Sequence, residues 1–484
     1  MRSRWTAALS AIAMLALAPS FASANDAAVE QQLQQMQDRM QQMEDKLQAT
    51  TDQLESANER VDEQSQLIEQ SGLAETRGAS NGLPGFLGQI TVGGWVSSTY
   101  FWNINHPKDS DNFIDDLGPD PGDGGMEGTN AGINGLYYPL HPDANSFALD
   151  QVWFEIERPI DEENRAGFRL DTVYGKTGAL LNGGGPSNRR DGIRDDTSIY
   201  INHGYVQYLA PIGDGLTFKA GKFGTLIGYE VAQTVYNQNI TRGSVYNLLE
   251  PIDHIGVLAS YAFGDTGFDA AIGGVNGFFP DSPDRNEDKS VIGHLGWANE
   301  MISVGVNGIW GGEVQGFDGD ESGLVNLLVK VNPTDRLALY VNGDYRWIDD
   351  GEGNAWGVAA GGRFAITDRT GVSLRGEYVQ DDKNFLGFGG FSSTVIDGVV
   401  FTDFVPTNIE TWGVTATLDH LLTDQLMVRA EVRWDAIDKT TDGVQDGEFF
   451  HGKFDPGETD LGLADDQVVL GAEVIYNFNK FGGE

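Results

Sequence analysis

Residues 216–223 read LTFKAGKF, and this period-two alternation predicts a β-strand. The next thirty residues, 224–253, follow neither a strand period nor a helix period and are rich in Gly, Asn, Tyr and small apolar residues. Since almost every other long loop is heavily acidic, this weakly charged one is expected to fold into the interior of a membrane barrel and narrow its pore. The candidate constriction residues are the charged ones, Glu230, Arg242, Glu250 and Asp253.

The composition limits the class of protein. The chain has 484 residues and a formal net charge of −41, with 31 Lys and Arg against 72 Asp and Glu, which excludes a nucleic-acid-binding protein. Its 64 Gly and 25 Phe, together with evenly spaced short segments, favour one large all-β unit. The sequence has no Cys, so disulfides, thiolate metal sites and Cys nucleophiles are excluded. No cofactor is expected.

The N-terminus has the three parts of a secretory signal. Residues 2–4 hold two Arg, residues 7–18 are mostly apolar, and residues 22–24 read ASA, which has the A-x-A form of a cleavage site. Residues 1–24 are therefore predicted to be a signal peptide, with a mature chain that begins at Asn25. No later run reaches the roughly 18 to 20 apolar residues of a spanning helix. The pattern indicates an exported protein of the Gram-negative envelope.

Residues 25–70 carry a heptad pattern. Apolar or small residues recur from Val29 to Ile68 in alternating steps of four and three, with polar Gln64 in the one gap. This predicts a periplasmic coiled coil about 65 Å long, which would aid assembly or act as a spacer towards the cell wall. The alternative is a single amphipathic helix that lies on the barrel. The Gly-rich segment 71–88 is a predicted linker.

Alternating segments follow the linker, and the gaps between them are alternately short and long. Tight turns at one rim and loops at the other indicate an outer-membrane barrel, in which a closed sheet pairs every backbone polar group. The predicted barrel spans 89–478 and precedes a tail at 479–484. Its sixteen antiparallel strands are predicted at 89–102, 147–158, 165–175, 199–210, 215–226, 254–263, 267–276, 289–298, 301–310, 323–332, 335–347, 355–366, 370–381, 409–420, 425–437 and 466–478.

The two faces of these strands differ in chemistry. In the penultimate strand, apolar side chains share one face, whereas Arg429, Glu431 and Arg433 share the other. A soluble β-sandwich would not place these charges towards its core, so the pattern favours lipid outside and water inside. The last strand ends with the aromatic pair Tyr476 and Phe478, which resembles the terminal signal of outer-membrane proteins.

Inward-facing charged residues recur at one height, four or five residues after a short turn, with the acids one inward position higher. They are predicted to form a basic belt beneath an acidic one, facing the infolded loop with Glu230 and Glu250 opposite, and to orient passing polar solutes. The alternative is that they are ion pairs that only satisfy one another on a solvated wall. The belt residues are Arg169, Asp171, Lys219, Arg375, Glu377, Arg429, Glu431 and Arg433.

The other long loops hold much of the negative charge. Between Ala436 and Asp465, eight acidic residues stand against two basic ones. Such runs are usually solvated, and the alternative is that they bind divalent cations shared with lipopolysaccharide phosphates. In either case they would lower the entry of anions at low salt, where screening is weak.

Enzyme motifs are weak. Residues 78–82 match the string G-x-S-x-G, but they lie in the predicted linker and not at a strand-to-helix turn. Residues 318–323 begin like a calcium-binding loop, but the twelfth position is Val329, where a bidentate Glu would be required. The sequence therefore predicts no enzyme, no catalytic residue and no metal site.

The turn and strand at 208–223, YLAPIGDGLTFKAGKF, and the GYE at 228–230 resemble the porin-2 family of OmpL-like outer-membrane β-barrels. The resemblance implies a barrel from about Gly88 to Phe478 and a porin, without a particular solute. Sixteen strands with an infolded loop after the fifth are similar to general diffusion porins, which are trimers. The N-terminal heptads look like the periplasmic coiled coils of some trimeric porins.

The sequence is interpreted as a homotrimeric porin of the outer membrane that lets small hydrophilic solutes and ions diffuse, with a mild cation preference. One alternative is a channel selective for sugars or small anions. Few aromatic residues, Trp153 and Tyr340, are predicted to face inward, and acids accompany the lumenal bases, so neither selectivity is favoured. The other alternative is a structural envelope protein tethered through its coiled coil.

Overall fold

The computed structural model describes residues 89–104, 145–181, 199–278, 288–312, 321–348, 353–382, 385–386, 391–396, 399–404, 408–440, 450–451, 463–464, 466–479 and 481. The predicted signal peptide, coiled coil and linker lie outside the described residues, as do most of the acidic outer loops.

Sixteen of the strands in the described part of the chain form one closed antiparallel barrel, in the order β1 to β13, β16, β17 and β20, and β20 pairs with β1. Two short hairpins, β14–β15 and β18–β19, lie outside it. The strands are β1 Thr91–Asn103, β2 Ser146–Arg158, β3 Ala166–Tyr174, β4 Ile199–Ala210, β5 Leu216–Gly224, β6 Asp253–Ala262, β7 Phe268–Val275, β8 Ser290–Ala298, β9 Ile302–Gly312, β10 Glu321–Thr334, β11 Leu337–Ile348, β12 Asn354–Thr367, β13 Thr370–Asp382, β14 Phe391–Ile396, β15 Val399–Phe404, β16 Asn408–Leu421, β17 Leu426–Thr440, β18 Phe450–His451, β19 Leu463–Ala464 and β20 Asp466–Asn477.

The prediction of a sixteen-stranded barrel is confirmed, and no predicted strand end differs from the structure by more than three residues. The largest difference is at the end of β17, which continues to Thr440 and not to residue 437. The apolar alternation stops where this strand becomes polar, but β17 stays paired with β16 beyond that point. A strand can therefore outlast the hydrophobic pattern that predicts it.

The inner and outer faces of the barrel are as different as the sequence predicts. On the outer face, apolar side chains such as Val341, Val432 and Trp434 are exposed, as lipid-facing residues would be. On the inner face, Arg429 and Arg433 are buried. Trp153 and Tyr340 also face inward and are buried. The water-filled space of the barrel is therefore smaller than its circumference implies, because other parts of the chain cover the inner face.

Part of that cover is an apolar cluster inside the barrel. It joins Ile240, Leu248 and Leu249, from the segment between β5 and β6, to Tyr340 and Val379 of the wall. Burial of each such aliphatic side chain contributes about 1.5–3 kcal/mol, so the segment packs as core and not as a solvated loop. Among the described residues, no helix has the length and apolar character needed to cross a membrane.

Candidate pore constriction

The segment between β5 and β6, which we call the infolded loop, spans 225–252. At its base the Thr225 N–H donates to the Ile252 carbonyl at 3.2 Å. It contains the 3-10 turn Thr234–Tyr236 and one short helix, α1, at Ser244–Leu249. Its side chains and backbone contact β11, β12, β13, β16, β17, β20, β1 and β2, which are consecutive in the barrel.

Arg375 of β13 forms the first ionic anchor of the infolded loop. Its Nη1 donates to Glu230 Oε1 at 2.6 Å and to the Thr241 carbonyl at 2.7 Å. Its Nη2 donates to Thr415 Oγ1 at 3.0 Å. Arg375 is 1% exposed, and buried charges are stable only when they are paired and hydrogen-bonded. At this point the loop and the wall therefore supply each other's hydrogen-bond partners and opposite charges.

Arg429 of β17 forms a second anchor with the 3-10 turn. Its Nη2 donates to Thr234 Oγ1 at 2.6 Å, and the guanidinium pairs with Glu473 of β20. Thr234 Oγ1 in turn donates to Glu473 Oε1 at 2.9 Å. Arg429 Nη1 donates to the Asn237 carbonyl at 2.9 Å. This anchor is charge-assisted and joins the loop to two wall strands at once.

Two wall carboxylates accept backbone N–H groups of the loop. Glu431 accepts from the N–H groups of Ile240 and Thr241 at 2.6 and 3.0 Å. Glu377 accepts from the Ser244 N–H at 2.5 Å, where α1 begins. First-turn N–H groups of a helix have no intrahelical partner, so a carboxylate at this position is favourable. Arg433 completes the set by pairing with Glu377 at 3.3 Å.

Arg242 stabilises the loop by hydrogen bonds to the loop's own backbone. Its side-chain nitrogens donate to the carbonyls of Val231, Ala232 and Ile240 at 3.0, 2.5 and 2.8 Å. The residue is buried, and burial lowers the pKa of its guanidinium. Of the predicted constriction residues, it is thus placed to shape the loop from within.

Glu250 and Asp253 lie where the loop returns to the wall. Glu250 Oε1 accepts from Asn342 Nδ2 of β11 at 2.6 Å. Burial, followed by the nearby Asp344 carboxylate, raises the pKa of Glu250 well above its usual range. Asp253 accepts from Tyr200 OH at 2.8 Å and pairs with Lys222 at 3.3 Å. Both carboxyl groups are buried.

The part of the wall on β2 and β3 carries a cluster of charges that are partly exposed, except for the buried Asp171. Arg169 lies among three carboxylates, with nitrogen–oxygen distances of 2.9 Å to Glu155, 3.3 Å to Glu157 and 2.8 Å to Asp171. Tyr236 of the loop is 59% exposed, and its hydroxyl lies 3.4 Å from Glu155 Oε1. The free edge of the loop therefore meets the wall beside this cluster.

Neighbouring strands extend the cluster. His203 Nδ1 of β4 lies 2.8 Å from Asp171 Oδ2, and Lys219 Nζ of β5 lies 4.4 Å from the centre of the Tyr205 ring. Three carboxylates, those of Glu155, Glu157 and Asp171, thus lie near two basic side chains, Arg169 and Lys219. By count, these five side chains carry a small excess of negative charge.

The predicted belt residues fall into two places. Arg169, Asp171 and Lys219 lie in the partly exposed cluster. The other five are buried beneath the infolded loop, and they are Arg375, Glu377, Arg429, Glu431 and Arg433.

Sequence reasoning missed several partners of the loop on the wall, which are Gln151, Glu155, Asn342, Thr417 and Glu473. Their available signal was a polar residue at an inward-facing strand position. Among the described residues, no group of three or more His, Asp or Glu is placed to hold a metal ion.

The chain is similar to a described protein family and to several solved structures of outer-membrane proteins. The family described as "Putative beta-barrel porin-2, OmpL-like" matches residues 89–478. No curated protein matches the sequence. Among solved structures, the channel DcaP of Acinetobacter baumannii is 12% identical, with 80% of this chain and 97% of that chain covered and a TM-score of 0.47. An anion-selective porin from Comamonas acidovorans is 10% identical, with 80% and 99% covered and a TM-score of 0.48.

Proposed function

The chain belongs to this family of OmpL-like outer-membrane β-barrel porins, and we propose that it passes small hydrophilic solutes and ions beside the infolded loop, with a mild preference for cations. The observation that carries the proposal is the loop itself, which is fixed across the interior of a closed barrel by buried ionic contacts. A barrel obstructed in this way on one side leaves its passage on the other side.

The charges beside the free edge of the loop support the cation preference. Tyr236 marks that edge, and the adjacent wall presents Glu155 and Glu157 around Arg169. In contrast, Arg375 and Arg429 are buried against the loop, and their charges are neutralised by the carboxylates with which they pair. A slight acidic excess in a narrow passage raises the local concentration of cations.

The proposed assembly is a homotrimer in the outer membrane, in contact with lipopolysaccharide, with the coiled coil at 25–70 in the periplasm. A sugar-selective channel is less well supported. Such a channel would present a ladder of aromatic faces to its lumen, whereas Trp153 and Tyr340 are buried and Tyr236 is the aromatic residue exposed at the edge of the loop. Tyr340 in fact stacks on Tyr229 of the loop, with ring centres 3.6 Å apart.

Single-channel recording in a planar bilayer under a salt gradient tests the proposal. The expected result is ohmic steps in groups of three with a reversal potential of the cation-selective sign. Glu157→Gln should move that potential towards zero, because it removes one carboxylate from the passage. The matched control is Glu163→Gln, in the exposed turn that follows the same strand.

Three outcomes would contradict the proposal. A correctly folded barrel that never conducts would exclude the channel function. Equal shifts for Glu157→Gln and Glu163→Gln would show that the passage does not run beside the Arg169 cluster. Small steps that one solute class blocks would favour a selective channel instead.

A further inference from the structure

The outer face of the barrel changes in composition around its circumference. At the rim that bears the long loops, an aromatic girdle is exposed, and it includes Phe147, Trp310, Tyr345, Trp356, Trp412 and Trp434. Such a girdle lies where an outer-membrane barrel meets the lipid headgroups. On β4 to β8, all of whose residues the structure describes, the loop-side half has no aromatic side chain on the outer face. The girdle is therefore broken over five adjacent strands.

Aliphatic side chains take the place of the girdle on these strands. Ile199 and Ile201 of β4, Val257 of β6 and Val291 of β8 are all exposed on the outer face. At the opposite rim, aromatic residues such as Phe268 are exposed on the same strands. Aromatic side chains there can pack against headgroups or against a protein partner, since both surfaces are enriched in them. The loop-side half is thus the part of this wall that lacks the features of a headgroup contact.

Glycines make the same part of the wall shallow. A Cβ atom at Gly274 of β7 would meet nothing within 4 Å, and at Gly293 of β8 the nearest atom would be 3.9 Å away. Gly293 is also paired with Gly308 of β9. The isolated chain therefore has room for side chains at Gly274 and Gly293. Glycine weakens the interior of a strand and often marks a place where another backbone approaches closely.

A shallow groove runs over these glycines. Its volume is about 590 Å³, and apolar residues such as Ala259, Ile272, Leu295 and Val306 line it. A cavity of about 150 Å³ already holds a benzene molecule. The groove therefore has room for several apolar side chains from outside the chain.

We propose that the outer face of β4 to β8, which we call the smooth face, contacts a second copy of this chain, whose apolar side chains fill the groove over Gly274 and Gly293. The inference rests on the proposed homotrimer and names the wall by which its copies meet. The heptads at 25–70 predict association between copies, which favours this chain over a foreign protein as the partner. Lipid is a poorer match, because the girdle that contacts headgroups is broken there.

The smooth face is large enough for such a contact. Strands about 4.8 Å apart and tilted by about 40° each occupy about 6 Å of the circumference. Five strands then cover about 30 Å, and with an apolar band about 25 Å tall the face measures about 750 Å². A stable interface buries about 800 Å² on each partner. In a ring of three copies, the face is divided between two neighbours, and the contacts form together.

Crosslinking in the membrane tests the proposal, and the chain has no Cys to interfere. Val257 is on β6, the middle strand of the smooth face, so in a ring the Val257 positions of neighbouring copies come together at the axis. Val257→Cys treated with a flexible bifunctional maleimide should give covalently joined copies on a denaturing gel. Val414→Cys is the matched control, because Val414 is 52% exposed against 59% for Val257 and lies on β16, eight strands away on the opposite wall. It should stay a single chain.

A bulky substitution tests the groove itself. Gly293→Trp should shift the purified protein in detergent from trimer to monomer in analytical ultracentrifugation, because the indole fills the space that the neighbour occupies. Gly376→Trp is its control, since a Cβ at Gly376 of β13 also meets nothing within 4 Å, but the girdle is intact on that part of the wall. It should remain a trimer. Circular dichroism checks that each barrel is folded.

Three outcomes would overturn the proposal. One is a natural protein that sediments as a monomer, and another is a folded Val257→Cys protein that gives no joined copies. The third is equal crosslinking of Val257→Cys and Val414→Cys, which would show that the copies meet without a preferred face. The crosslinking does not depend on conduction. A silent bilayer with joined Val257→Cys copies would therefore remove the channel function and keep the smooth face, whereas conduction without them would do the reverse.

Discussion

Replacing Arg375 by Ala is expected to loosen the infolded loop and to make the channel noisy without changing the barrel. The substitution deletes the hydrogen bonds to Glu230, Thr241 and Thr415, and leaves two carboxylates, those of Glu230 and Glu377, without this cation. All of these groups are buried, so water does not replace the lost partner.

The size of the effect follows from that burial. Removal of one partner of a buried ion pair costs about 3–5 kcal/mol, because the other charge stays desolvated. If this cost falls on the docked loop, the population of the undocked state rises about a hundredfold or more. The Arg429 anchor and the apolar cluster remain, so the loss is local and the sixteen strands stay paired.

The assay is single-channel recording together with urea unfolding in detergent, followed by tryptophan fluorescence. Arg375→Ala should increase closures and brief conductance changes. Arg363→Ala is the matched control. Arg363 lies on the same inner wall, and its Nε and Nη2 donate to the two carboxylate oxygens of Asp419 at 2.8 and 2.6 Å, without contacting the loop. The double variant Glu230→Gln/Arg375→Met should recover part of the stability, because both members of the pair are then neutral.

Two results would refute this reasoning. One is equal noise in Arg375→Ala and Arg363→Ala, which would show that the ion pair does not hold the loop. The other is a shift of reversal potential without any added noise. That shift is what a solvated belt of charges would give, and it would favour direct action of the Arg375 charge on passing ions.

Three further predictions follow from the structure. Gly228 has φ +90°, and a Cβ there would lie 1.9 Å from Glu250 Oε2, so Gly228→Ala should destabilise the protein by about 1–3 kcal/mol in urea unfolding. Gly376→Ala is its control, because a Cβ at that position meets nothing within 4 Å. The reversal potential at a fixed salt ratio should fall as total salt rises, since the Debye length drops from about 10 Å at 0.1 M to about 3 Å at 1 M; an unchanged potential would contradict an electrostatic preference. Deletion of residues 27–70 should preserve conductance in bilayers, whereas a silent but folded barrel would favour a structural role for the coiled coil.

The barrel could be predicted from sequence because its cause is local. Each strand lies between lipid and the barrel interior, so every second side chain reports the same environment, and Val432 and Arg433 illustrate the contrast between adjacent positions. The hairpin β14–β15 is not among the predicted strands, although residues 397–398 read DG, a strong two-residue turn signal. It falls within a long interval between barrel strands, where the barrel pattern predicts only a loop.

The contacts of the candidate constriction could not be predicted in the same way. Composition indicated that the loop folds inward, but Arg375 and Glu230 are 145 residues apart in the chain, and no local pattern pairs them. The hydrogen bonds that join Asn307, Asn326 and Asn342 gave a weaker signal still. Each of these residues occupies an inward position in mid-strand, but only the register places Asn307 opposite Asn326, and Asn342 two residues before Asp344, which lies opposite Asn326 on the other side. Strand register across several hairpins is a global property of the barrel.

The position of the loop's anchors along the chain has a consequence for folding order. The loop follows the fifth strand, whereas Thr241 is bonded to Glu431 190 residues later and Thr234 to Glu473 239 residues later. Contacts between such distant residues form late, because loop closure must come first. The last strands therefore close the barrel and also supply the side chains that bind the infolded loop. A barrel that has not closed on β20 lacks the Glu473 contact that holds the loop. Docking of the loop can thus serve as a reporter of completed assembly.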